Sequence, residues 1–233
     1  AGLATREELA GRDPSNAEWR RDLSVSHSKV GDVRVAQGEL GAALAAYEAG
    51  LAIAEDLARR DPSNTAWQRD LSVSHTKLGD VRVAQGELGA ALSAYEAGLA
   101  IREDLVRRDP SNTGWQYDLG ISNERVGDVL AAQGQLGKAL SAYERRHDIV
   151  HALVRRDASN AEWQRDLSVS HVKIGNVRAA QGELAGALAA YEAGLAIHEA
   201  LAARDPSNTE WQRDLIVSNV KRAEVATAQG EAA

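Results

Sequence analysis

Asp22, Ser24, Ser26 and His27 fall within one six-residue word, DLSVSH, and that word recurs at 70–75 and 166–171. These are the residue types of a nucleophilic hydrolase. Neighbouring positions on a helix point apart, however, and a relay needs its members to converge, so the word is a poor catalytic site. We expect His27, His75 and His171 to be half-buried, hydrogen-bonding side chains between helices, and we expect no enzyme activity. A second candidate is HDIVH, where His147 and His151 stand at i,i+4 and share a helix face. With His198 from a later helix they carry the ligand types of a divalent-metal site, but Asp148 stands where a metalloprotease has its general-base glutamate. The segment is taken as a drifted copy with solvated histidines, and neither metal nor cofactor is expected.

The elements that must hold these residues are fixed by repetition. Trp19, Trp67, Trp115, Trp163 and Trp211 follow one another at a step of 48, as do Gly38, Gly86, Gly134, Gly182 and Gly230. A period of this length without slippage is the mark of stacked units that bury their apolar faces on one another. The formal net charge of −7 is spread along the chain. No basic patch offers itself to phosphates, and no apolar run reaches the roughly 18 residues a bilayer span needs, so nucleic-acid and membrane partners are not expected. The chain has no cysteine, which removes disulfides and thiolate chemistry. It does not begin with methionine, and we read it as a piece whose array was cut at its start; a cytoplasmic location is the weak expectation.

Within a unit, Asp13-Pro14 breaks the chain, and Ser15 with Glu18 has the spacing of a capping box, repeated at Ser159/Glu162 and Ser207/Glu210. A helix A is expected from near Asn16 to the turn glycine Gly38. An alanine-rich helix B should follow over 40–60, stopped by Asp61-Pro62. Trp19 and Leu57 are expected to plug the far end of this hairpin.

The stretch KVGDVRVAQGELGAALAAYEAGLAI, residues 29–53, resembles a tetratricopeptide repeat, with Gly31, Gly38, Ala43 and Tyr47 at that family's glycine, turn-glycine, alanine and aromatic positions. Arg34 and Gly50 depart from the usual aromatic and alanine. The resemblance implies an all-α, right-handed superhelical solenoid of antiparallel hairpins. The expected organisation is a single array over 1–233: a partial helix B at 1–12, repeats at 13–60, 61–108, 109–156 and 157–204, and at 205–233 a terminal helix A whose Arg222 suits water.

It also implies that helix A lines a concave face that holds peptides. Carried over by position, the binding row is Arg69, Val73, Thr76 and Asp80, then Tyr117, Ile121, Glu124 and Asp128, then Arg165, Val169, Val172 and Asn176, with Arg21, Val25, Ser28, Asp32 and Val35 ahead of them and Val83 continuing the second group. Tyr117 and Glu124 depart from the array's own pattern, so the third unit is the expected centre of binding. A protein-interaction scaffold that takes a protein or peptide partner leads. A spacer or end-to-end self-assembly module is the alternative.

Overall fold

The computed structural model describes residues 2–228 and Gly230. Among them the chain is all helix: α1 (Gly2–Arg12), α2 (Ala17–Ala36), α3 (Leu40–Arg60), α4 (Thr65–Ala84), α5 (Leu88–Arg108), α6 (Thr113–Ala132), α7 (Leu136–Arg156), α8 (Ala161–Ala180), α9 (Leu184–Arg204) and α10 (Thr209–Ala228). The even-numbered helices from α2 are the expected A helices and the odd-numbered ones from α3 the B helices. The chain divides into two compact units, Ala1–Trp115 and Gln116–Ala233, with the boundary inside α6. Within the first, α2 packs on α3 and α4 on α5, and α3 and α4 join the two hairpins; within the second, α8 packs on α9, with α7 before and α10 after. No helix among the described residues is long and apolar enough to cross a membrane.

The punctuation acts as expected at the turn and one residue late at the cap. Gly38, Gly86, Gly134, Gly182 and Gly230 have φ of 73–79°, the left-handed conformation that closes a helix cheaply only at glycine. At the helix start the cap is the asparagine: Asn16 and Asn64 accept from the Trp19 and Trp67 amides at 3.1 Å. Ser15 turns back instead, and its hydroxyl donates to Asp13 at 2.5 Å. The capping box is therefore not formed. The aspartate organises the turn, and the bonds from Ser15 hold its carboxyl below the ordinary range.

The plug also differs from expectation. Leu57, Leu105, Leu153 and Leu201 are 0–2% exposed, whereas all five tryptophans are only half-buried. A leucine fits between two close helices, while an indole at the first turn of helix A lies along the rim. The tightest contact in each hairpin lies nearer the turn. A Cβ added to Gly31 would sit 2.4 Å from the Tyr47 ring, and the same holds for Gly79 and Tyr95 at 2.4 Å, Gly127 and Tyr143 at 2.7 Å, and Gly175 and Tyr191 at 2.6 Å. Bare glycine backbone is what lets the ring lie across helix A.

Two substitutions of the same kind should therefore have opposite signs. Gly79→Ala must displace the Tyr95 ring and should cost about 1–3 kcal/mol. Gly89→Ala has nothing within 4 Å of the new methyl and should add about 0.5–1 kcal/mol by restricting the unfolded chain. Urea denaturation of the two variants beside the parent decides it.

Candidate functional site

The expected binding row lies on the A helices, and its members in the first unit divide sharply by type. Val25, Val35, Val73 and Val83 are 39–40% exposed, unusually open for branched apolar side chains on packed helices. The polar members are tied to one another. Arg21 on α2 reaches Asp70 on α4 at 2.5 Å, and Lys77 on α4 reaches back to Asp32 on α2 at 2.7 Å. Asp32 also accepts from the Tyr47 hydroxyl at 2.8 Å, and Asp80 from Tyr95 at 2.6 Å. Thr76 bonds the Ser72 carbonyl of its own helix at 3.0 Å. Arg69 is exposed. The face is thus an apolar ladder between charges that mostly neutralise each other across adjacent helices.

The second unit repeats this pattern more tightly. Arg165 on α8 pairs with Asp214 at 2.6 Å and Glu210 at 2.8 Å on α10. Asp128 accepts from Tyr143 at 2.6 Å and from Lys173 at 2.5 Å, and Asn176 accepts from Tyr191 at 2.8 Å. Ile121 and Val169 are half-buried, and Val172 packs against the cluster of Ala187, Tyr191 and Val225. The apolar members here are largely spent on the core.

Tyr117 and Glu124, the expected heart of the site, have internal partners. In α2 and α8 the first residue of the row is an arginine that reaches the aspartate one repeat on. Tyr117 replaces it, and its hydroxyl donates to Glu162 at 3.2 Å; burial, then Asp166 and Glu162, raise its pKa. The arginine that Asp166 lacks comes from α7 instead. Arg146, 3% exposed, stands where α3, α5 and α9 have Gly50, Gly98 and Gly194. It holds Asp166 Oδ1 at 3.0 Å and Glu124 at 2.6 Å, and it donates to Ser170 Oγ at 2.7 Å. Gly120 beside it replaces the serine found at Ser24, Ser72 and Ser168, and a Cβ there would lie 3.9 Å from Arg146 Cγ, an ordinary contact. Elsewhere the bulk is reversed: Ser24 donates to the Gly50 carbonyl at 2.8 Å, and a Cβ on Gly50 would lie 3.0 Å from the Ser24 carbonyl oxygen. Tyr117, Gly120, Glu124 and Arg146 are one compensated set.

No protein-family model and no curated protein matches the sequence. Among solved structures, BtubC (BKLC) from P. vanneervenii aligns at a TM-score of 0.70 and 18% identity, over 99% of this chain and 81% of that one. A Podosopora anserina protein with nearly identical TPR-like repeats aligns at 0.64 and 16%, over 88% and 86% of the two chains. RapI in its apo form aligns at 0.70 and 13%, and the chain covers 54% of it. The fold is that of tetratricopeptide-like repeats.

The departures from the tetratricopeptide pattern now have structural roles. Arg82, in place of the usual aromatic, pairs with Glu87 across the turn and with Glu48 on α3 at 3.2 Å. Ser26 of the DLSVSH word donates to the Asp22 carbonyl of its own helix at 2.7 Å, and Ser24 to the Gly50 carbonyl on α3. Among the described residues no three histidine, aspartate or glutamate side chains are grouped to hold a metal ion. His198 is 3% exposed and bridges Ser168 at 2.6 Å and Ser218 at 2.7 Å.

Arg146→Gly alone takes the arginine from Asp166 and leaves Glu124 only the longer 3.6 Å pairing with Lys173; it should cost about 3–5 kcal/mol, the usual penalty for removing one member of a buried ion pair. Restoring the array's own pattern in full, Tyr117→Arg, Gly120→Ser, Glu124→Thr and Arg146→Gly together, should recover most of it. Urea titrations of the single and fourfold variants check this; a fourfold loss equal to or larger than the single one would mean the other three positions do not compensate for Arg146.

Proposed function

We propose that the chain is a non-catalytic protein-interaction scaffold that holds a peptide or protein segment on its A-helix face, centred on Val25, Val35, Val73 and Val83 of the first unit. The observation that carries this reading is the exposure of those four valines at 39–40% beside charges that are already paired, Arg21 with Asp70 and Lys77 with Asp32. A ladder of branched side chains left open at this regular step is a contact surface of the sort that is desolvated on binding. Tyr117 and Glu124 already have internal partners, Glu162 and Arg146, so the open valines of the first unit are the stronger contact surface. The fold likeness is compatible with a scaffold, and the partner is proposed from the face alone.

End-to-end assembly in the array's own register is opposed by α10. There Ile216, 64% exposed, replaces the tight serine that meets helix B, and Ala223 replaces the glycine on which the tyrosine ring lies. α1 of a second copy, whose Gly2 corresponds to Gly50, would meet Ile216.

A peptide-display selection against the chain supplies ligands for the test. Val73→Glu should weaken the selected peptides by about tenfold or more, as expected for a central apolar contact, while Tyr117→Ala should change affinity less than about twofold. Loss with Tyr117→Ala and none with Val73→Glu would move the site to the second unit and overturn the proposal.

A further inference from the structure

The histidines that neither fold nor binding face uses meet at one place. His171 on α8 meets the ring of His147 on α7 edge-on, with centroids 4.7 Å apart, and His147 in turn stacks on His151 at 5.8 Å with 7° between the rings. A cleft of about 460 Å³ opens beside them, lined by Glu144, Asp148, Arg178 and the alanines Ala189, Ala190 and Ala193 of α9.

The rest of the chain supplies a control for this arrangement. His171 repeats His27 and His75, while His147 stands where other B helices have Leu51, Leu99 and Leu195, and His151 where they have Glu55, Glu103 and Glu199. In the first unit burial lowers the His75 pKa, and the field of Glu55 offsets part of that by favouring the charged form. At the α7–α8 contact the leucine and the glutamate have both become histidine, and both changes fall on neighbours of the same ring. Unrelated drift would not converge in this way.

We propose that the α7–α8 contact is an acid-sensitive joint: the His171 ring is packed against His147, which stacks on His151, and positive charge gained there as pH falls loosens the stacking of α8 on α7. The groups around it do little to offset that charge. Glu144 lies along the cleft. Asp148 is 3.2 Å from His147 Nδ1, but its side chain is 83% exposed. Arg178 is cationic, Arg146 is already bound to Glu124 and Asp166, and α9 lines the cleft with the uncharged Ala189, Ala190 and Ala193. In agreement with this geometry, burial first, then His147 and His151, push the His171 pKa from 6.5 down to about 4. A folded-state value below the unfolded one means the contribution is complete above the unfolded pKa of 6.5 and is lost as pH falls from there toward 4.

Hydrogen exchange tests the joint locally, with the half-buried His75 and the buried His198 common to both proteins compared. Between about pH 7.5 and about pH 5, after correction for intrinsic exchange, amide protection in α7 and α8 should fall about tenfold further in the parent than in His147→Leu/His151→Glu, which restores the array's own residues. Protection at the α3–α4 contact should change alike in both. An equal fall at α7–α8 in both proteins overturns the proposal. Should the double variant not fold, His171→Asn, the residue already present at Asn123 and Asn219, replaces it with the same two outcomes.

Discussion

Each hairpin is organised by a tyrosine ring lying on a glycine that has no side chain. Tyr47 on Gly31, Tyr95 on Gly79, Tyr143 on Gly127 and Tyr191 on Gly175 bring helix A and helix B closer than any Cβ would allow. That approach aims the hydroxyl at residue 32, 80, 128 or 176 on the far side of helix A. The acceptor is pinned, and where it is Asp32 or Asp128 a lysine from the next helix A closes onto it. One steric condition inside the hairpin therefore propagates outward. It fixes the packing distance, then a carboxylate, then an ion pair between neighbouring repeats, and so decides which groups remain for a partner.

Most of the fold was legible because its signals are local. Gly38 and its copies need only their own φ, and the alanine-rich stretch over 40–60 needs only its own propensity, so helix ends fell within a residue or two of expectation. The errors arose where two side chains compete for one role. Ser15 and Asn16 can both cap, and Asp13 decides the matter by engaging Ser15 first. Trp19 and Leu57 both suit an apolar seam, and the narrow gap selects the leucine.

The candidate site was legible as a row of positions but not as chemistry. Its arginines and aspartates look available in sequence because their partners lie 45 or 49 residues away, a separation that acquires meaning only once helices are stacked. A signal was present: Tyr117 loses an arginine in the same repeat in which Arg146 gains one. Read together, the two changes say that a charge has moved from helix A to helix B, and that Gly120 and Glu124 accommodate it. The third hairpin is distinctive because it solves the same electrostatic problem by another route. Val25 and Val73, whose counterparts are Ile121 and Val169, look unremarkable in sequence, and with Val35 and Val83 they are what the ion pairs leave exposed.

The account stands or falls on that division between satisfied charges and open valines. Its most direct measurement is the salt dependence of binding for peptides selected against the chain. With Arg21, Asp32, Asp70 and Lys77 already paired, affinity should change by less than about twofold as sodium chloride rises from about 0.05 to about 0.5 M, because apolar contact is not screened. A fall of about tenfold or more over that range would show that the face reads charge, and would contradict the account.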